Sequence, residues 1–337
     1  MKIRLILVSF NRPACTRLAS FCLAACAALL APATQAQQEV LRLAGPSAVV
    51  SFPLLHMVES GALKAHAKRV EFRLWQNPDQ LRVLLANDEI DYSAVPVNLP
   101  ALVAGRGLPV RLLNVSVWGI IWLVSRDLAI QGFADLRGEE LVMPFQRDLP
   151  AVLVDELLRS HGLEAGKDLT LRPVRDGQDA QALLLAGRAK HALLVEPAVS
   201  LLLWRNQQQN GAPLRRVQSL ENAWNQAFPA NPELPQAGIM ASARIAEQHE
   251  LARAVEQAYA QSARWCSAQP RECAELVHRH LPHLPVAAVE ESIRVTRLES
   301  RPASEAREQL EALYRLLAER HPQAIGGSLP NAEFYGP

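Results

Sequence analysis

An internal echo at an offset of 100 residues constrains this chain more than any other feature. The segment Asp79-Gln80-Leu81-Arg82-Val83-Leu84-Leu85-Ala86-Asn87 returns in pattern as Asp179-Ala180-Gln181-Ala182-Leu183-Leu184-Leu185-Ala186-Gly187. In each copy the aspartate suits a helix N-cap, the paired leucines form an apolar stripe, and Asn87 or Gly187 suits a left-handed stop. A strand follows each time, Tyr92 to Pro96 and Ala192 to Val195. Each runs into a loop, Val97-Asn98-Leu99-Pro100 in the first copy and Glu196-Pro197-Ala198 in the second. Two related α/β units are therefore expected, not a long solenoid.

The flanking periodicities extend both units to the order β-α-β-α-β. In the first, Val40 to Ala44 reads as a strand, Gly45-Pro46-Ser47 as a turn, Pro53 to Leu63 as a helix ended near Gly61, and Val70 to Trp75 as a strand. In the second, Glu140 to Met143 is a strand, Pro150 to His161 a helix stopped by Gly162, and Leu169 to Val174 a strand. Strands joined by crossover helices form a parallel sheet, whose ligands bind beyond the carboxyl ends. Each unit thus points its turns at a shared cleft.

Between the units, Val115 to Val124 is an apolar β-rich segment with Gly119 as its flexible point, the first crossing between lobes. The chain returns near Gly238-Ile239-Met240 after the Pro-rich loop from Phe228 to Pro235. From Ala241 onward it reads as helices that pack on the first lobe: Ile245 to Ser267, Cys273 to His280, Pro285 to Arg294 and Ser304 to Arg320. Gly326 to Pro330 reads as a surface strap. The expected organisation is a leader over 1–36, a first lobe from 39–117 plus 240–320, and a second lobe over 126–236. Hinge crossings fall at 118–125 and 237–239, and a tail covers 321–337.

With 49% hydrophobic and 20% charged residues in 337, the chain is neither disordered nor collagen-like, and it can bury a real core. A formal charge of +1 and no dense basic run argue against nucleic acid as a partner. Lys2, Arg4, Arg12 and Arg17 precede a charge-free run of 14 residues from Leu18 to Ala31, and Ala33-Thr34-Gln35-Ala36 resembles a cleavage site. This reads as a cleavable export signal, since a span needs about 20 apolar residues. The competing reading takes Leu23-Ala24-Ala25-Cys26 as a lipobox with an acylated cysteine. Without the leader, 31 basic residues face 34 acidic ones.

Of the five cysteines, only Cys266 and Cys273 survive that cleavage, and an oxidising compartment favours joining them. A continuous helix would hold them too far apart, but Pro270 breaks it, so a helix–turn–helix can bring the sulfurs together. Two inert buried thiols are the alternative. No zinc-ribbon spacing occurs, and His278-Arg279-His280-Leu281-Pro282-His283 reads as a solvated cluster, so no metal and no cofactor is expected. No GxSxG, HExxH or GxxxxGK[ST] motif is present.

Leu84-Leu85-Ala86-Asn87-Asp88-Glu89-Ile90-Asp91, the echo ending in Glu196-Pro197, Ser160-His161-Gly162-Leu163 with Lys167-Asp168-Leu169, and the terminal Leu329-Pro330-Asn331-Ala332-Glu333-Phe334-Tyr335 together resemble the nitrate/sulfonate/taurine class of ABC-transporter substrate-binding proteins. The resemblance spans most of the mature chain. It implies an α/β type II periplasmic-binding fold with two lobes, a hinge and a central ligand cleft. It also implies a small-molecule ligand, delivery to an ABC permease in the inner membrane, a periplasmic monomer, and no catalysis. The same fold serves the pyrimidine-precursor proteins of thiamine metabolism, some of which are enzymes, so fold alone does not choose between them.

The candidate ligand contacts sit at the strand-to-helix turns. Ser47 lies where free N–H groups and a helix dipole favour an anion, with an ordinary helix cap as the alternative. Trp75, Gln76 and Asn77 offer an apolar plate and amides after the second strand, although Asn77 also suits a cap. Asn98 follows the third strand, where a short amide can reach the cleft or steady the turn. In the second unit Gln146 and Arg147 mirror the Ser47 turn, and the planar fork of Arg147 suits a carboxylate, sulfonate or phosphate unless it pairs with Asp148. Arg175 is a second cation. Glu196 can bind an ammonium or hydroxyl or brace the hinge, and Trp118 and Gly119 border the crossing. Three readings follow: an importer's solute-binding protein for a small anionic or zwitterionic molecule, a periplasmic sensor or adaptor, and a thiamine-precursor-type enzyme.

Overall fold

In the computed structural model, which describes residues 37–146 and 148–337, each β-α-β-α-β unit becomes its own sheet. The leader reading over 1–36, with Cys26, and the Arg147 reading lie outside the described residues. In the first sheet β1 (Gln38–Gly45) runs parallel to both β2 (Ala67–Leu74) and β3 (Tyr92–Pro96). The helices α1 (Phe52–Ser60) and α2 (Pro78–Ala86) make the crossovers, and α3 (Asn98–Gly105) follows β3. Then β4 (Arg111–Gly119) enters the same sheet antiparallel to β10 (Ala237–Ala241), which is itself antiparallel to β3. With β11 (Arg297–Pro302) the order is β2-β1-β3-β10-β4-β11.

The chain leaves this sheet at Ile120 and starts the second with β5 (Ile121–Ser125). There β6 (Glu140–Met143), β7 (Thr170–Pro173) and β8 (His191–Val195) are parallel, and β5 lies antiparallel between β8 and β9 (Arg215–Ser219). The helices α4 (Leu149–Ser160), α5 (Gly177–Leu185), α6 (Ala198–Gln208) and α7 (Leu220–Ala227) cover it. Central strands are covered on both faces: Leu112, Leu113, Val115 and Val117 of β4 are fully buried, and so are Asn114 and Ser116 between them. By contrast β2, at an edge, reads Ala-Lys-Arg-Val-Glu-Phe-Arg-Leu with its charges in solvent, which blunts the edge against further pairing.

After β10 come α8 (His249–Ala268), α9 (Pro270–His280), α10 (Val286–Val295) and α11 (Arg307–Arg320). Pro270 opens α9, and across that break Cys266 and Cys273 form the expected disulfide with a Cα–Cα distance of 5.0 Å. Gly326 to Pro330 is partly exposed, whereas Phe334 and Tyr335 beyond it are buried, and Tyr335 bridges Leu112.

Several local expectations are corrected. The caps of the echoed helices are Asn77, which accepts from Gln80 N–H, and Asp176, which accepts from Gln178 and Asp179 N–H. Asp79 and Asp179 sit in the first turn instead, where a negative charge still suits the helix dipole. The left-handed residue after α2 is Asp88 and not Asn87, while Gly187 does take that conformation after α5. Asn98-Leu99-Pro100 is the first turn of α3 and not a loop, because proline needs no N–H partner there. The strands β9 and β11 carry Arg215, Arg216, Arg297 and Arg301 and no apolar run, so their pairing has no signal in the sequence.

Candidate functional site

The parallel strands of the first sheet end at Gly45, Leu74 and Pro96, and those of the second at Met143, Pro173 and Val195. Three hydrogen bonds tie the two sets of ends together. Val97 N–H donates to the Gln236 carbonyl at 3.2 Å, Ile120 N–H to Gln236 Oε1 at 3.0 Å, and Glu196 N–H to the Ile120 carbonyl at 3.0 Å. The carboxyl edges of both sheets therefore meet at one seam whose floor is Ile120 and Gln236. Across that seam, Asp148 at the start of α4 feels Arg82 and Asp79 of α2; burial raises its carboxyl above the ordinary aspartate value, and Arg82 partly offsets this.

Glu196 lies fully buried at the end of β8. Its Oε2 accepts from the Ser200 N–H and hydroxyl at 3.0 and 2.8 Å, and its Oε1 accepts from Arg216 Nε at 2.9 Å. Burial pushes this carboxyl above its ordinary value, while Arg216 and Ser200 pull it back. Arg216 also reaches Glu291 of α10 at 3.0 Å and lies 5.6 Å over the Trp122 ring, so the ion pair couples β8 and β9 to the helix that leads into β11 of the first sheet.

A second network surrounds the crossing. Trp118 is fully buried in β4, donates its indole N–H to the Glu299 carbonyl at 2.8 Å, and stacks under Arg301. Arg297 joins Glu221 of α7 to Glu233 of the returning loop, both at 2.9 Å. A β-carbon on Gly119 would overlap the Glu221 carboxylate, so glycine is what lets that pair close over the crossing.

The other candidates divide. Ser47 is half-buried in the turn between β1 and α1, and Gln146 is exposed after β6. Trp75 is buried and donates to Ser93 Oγ at 3.0 Å, which makes it part of the core beneath the sheet. Gln76 and Asn77 are exposed, with Asn77 spent on its cap. The Asn98 amide donates to the Ala324 carbonyl at 3.1 Å and so holds the C-terminal segment. Arg175 is exposed and pairs with Asp176 and Asp179 at 3.2 and 3.0 Å. In the histidine cluster, His278 meets the Leu284 carbonyl and His280 meets Glu59, so the two imidazoles point to different partners.

Two polar side chains near these turns went unread in the sequence. Gln236 is 3% exposed, and its Nε2 has no hydrogen-bond partner, although its Oε1 is used. Ser51, fully buried at the entrance to α1, likewise has an unpartnered hydroxyl beside Gly45. Buried polar atoms without partners are few in folded proteins. The only sequence signal was a lone polar residue at each place, Ser51 within Val49-Val50-Ser51-Phe52 and Gln236 after Pro235 at the return crossing.

No protein-family model and no curated protein sequence matches the chain. Solved structures do. An ABC transporter structure from Parabacteroides distasonis aligns with TM-score 0.74 at 20% identity, over 89% of this chain and 99% of that one. The periplasmic aliphatic sulphonate binding protein of Escherichia coli aligns with TM-score 0.65 at 16% identity, over 88% and 94%. The periplasmic nitrate-binding protein of Synechocystis PCC 6803 gives TM-score 0.64 at 17% identity, over 88% and 86%. The resemblance read from the sequence is matched at the level of architecture, and the chain has the two-lobed α/β fold of periplasmic substrate-binding proteins.

Proposed function

We propose that this protein is the exported solute-binding component of an ABC importer, closing its lobes on a small anionic or zwitterionic organic molecule and handing it to an inner-membrane permease, without catalysis. The observation that carries the reading is the seam itself, where the parallel strands of two mixed sheets turn their carboxyl ends to a common floor. That is where open α/β folds take their ligands. Support for a negatively charged group comes from the N-termini of α1 and α4, which bring positive partial charge to the strand ends, and from Arg147, which precedes α4 in the sequence. The Glu196 charge is already matched by Arg216, so it does not oppose an anion. Gln236 Nε2 and the Ser51 hydroxyl add unpartnered polar groups near the seam.

The test is mass spectrometry of the small molecule released when purified protein is denatured, followed by uptake of that labelled molecule in a deletion strain. A retained anionic or zwitterionic compound whose uptake falls in the deletion strain is expected. Conversion of the compound to a product on prolonged incubation would replace this reading with an enzyme, and unchanged uptake would replace it with a sensor.

A further inference from the structure

Away from the floor of the seam, one group of side chains joins the lobes and has no part in the reading above. The Tyr314 hydroxyl donates to the Val97 carbonyl at 2.7 Å, which seats α11 on the end of β3 in the first lobe. His321 caps the C-terminus of α11 and turns its imidazole onto α4 of the second lobe. There its Nε2 lies 3.4 Å from Glu156 Oε1 and 3.6 Å from Asp155 Oδ2. One ligand-type atom from each of the three residues lies within 4.8 Å of the others.

The Glu156 side chain is 4% exposed, yet its Oε1 has no hydrogen-bond partner, and neither has His321 Nε2. A carboxylate oxygen buried and left without a donor is costly, so it points to something that fills the gap. The spacing says what. Four ligand atoms bound tetrahedrally to a cation at about 2.0–2.2 Å stand about 3.3–3.6 Å apart, the separations His321 Nε2 keeps from both carboxylates.

We propose that Asp155, Glu156 and His321 form a divalent transition-metal site, best suited to zinc, that clasps α4 to the end of α11. One imidazole nitrogen with two carboxylate oxygens suits zinc better than calcium or magnesium, which prefer oxygen-only shells with more ligands. The fourth position is left to water. The two carboxylates match the charge of the ion. Arg320 Nε is 3.5 Å from Glu156 Oε2, leaving Oε1 free, whereas Arg159 Nη2 lies 2.9 Å from Asp155 Oδ2, the oxygen that faces the imidazole, and gives way when the ion binds. Both arginines are about half-exposed and can swing into solvent. Since the ligands come from two lobes, the ion binds tightly only when the lobes are together.

The test titrates metal-stripped protein with zinc ions by calorimetry and uses cobalt(II) as the optical probe. One zinc per chain and the intense visible bands of four-coordinate cobalt are expected. Removing a group that merely supports a ligand typically costs about 10–100-fold in affinity, so His321→Ala and Glu156→Gln should each lose about a hundredfold or more. Asp155→Asn, at a partly exposed position, should lose affinity in the same direction, with the folded state of each variant checked by its thermal melt. His283→Ala should change nothing. No zinc uptake by the parent protein, or uptake that survives all three ligand substitutions, overturns the proposal.

Discussion

Arg301 grips both oxygens of Glu233 with the two arms of its guanidinium, at 2.7 and 2.8 Å, while the flat face of the same group lies 4.3 Å over the Trp118 ring. Arg297 adds a third bond to Glu233 at 2.9 Å. Parallel charge-assisted donors of this kind favour the ionised carboxylate, and Glu233 is drawn from 4.5 down to about 2. The loop that returns the chain from the second lobe is thereby fastened to β11.

The pH dependence follows from the sign. A depressed carboxyl contributes stability that is present above its unfolded value of 4.5 and lost as pH falls through about 2. The shift alone corresponds to about 3 kcal/mol, but partial exposure of the side chain screens it, so about 1–2 kcal/mol is the expected share. Glu233→Gln should lower stability by that amount at neutral pH and flatten the stability profile over the acid window. Profiles that run parallel for parent and variant would remove Glu233 from this role.

At the seam, the prediction concerns Arg216. Its loss leaves Glu196 fully buried with a charge that burial already disfavours, and breaking such a pair costs about 3–5 kcal/mol. A carboxyl with a raised folded-state value contributes stability fully below its unfolded value and loses it as pH rises through the folded one. The Arg216→Ala deficit should therefore be larger at neutral pH than in mild acid. Adding Glu196→Gln should recover part of it. Urea midpoints at both pH values decide the matter, and an equal deficit at the two would refute the assignment.

Reducing the Cys266–Cys273 bond, or replacing both residues by serine, opens a loop with a sequence separation of 7. The chain-entropy relation puts the loss at about 2–3 kcal/mol, a fall in Tm of roughly 5 °C for a chain of this size. Mass mapping of the unreduced protein should find the bridge intact. Two alkylatable thiols in that sample would contradict it.

Gly238 pairs β10 with β4 so closely that a β-carbon would overlap the Asn114 carbonyl oxygen. Backbone must move to admit it, so Gly238→Ala should destabilise by about 3 kcal/mol or more. Gly177→Ala is the control, since a β-carbon there meets only ordinary contacts at 3.7 Å and beyond. Similar denaturation midpoints for the two variants would show that the strand pairing tolerates the change.

For the proposed ligand, Arg147→Ala should weaken binding of the retained molecule by tens to thousands of fold, the equivalent of losing a charged contact worth about 2–5 kcal/mol. The melting temperature of the ligand-free protein should barely change. Calorimetry with an unaltered affinity would take Arg147 out of the site.

The sequence alone determined the two β-α-β-α-β units, the direction in which their turns point, the break at Pro270 and the bridge it allows, because each of these is written in periodicity, capping and spacing over a few residues. Tertiary structure decided which polar groups meet. Asn98 reads as a short amide facing a cleft, and only packing spends it on Ala324, 226 residues away. Ile120 finds Gln236 across 116 residues, and Arg301 finds Glu233 across 68, with β11 carrying no strand signal of its own. Local pattern encodes which face of an element is buried, since burial follows the period of the backbone. Partner choice between distant polar side chains depends instead on where folded elements come to rest, and the nearest neighbours in the chain hold no record of that.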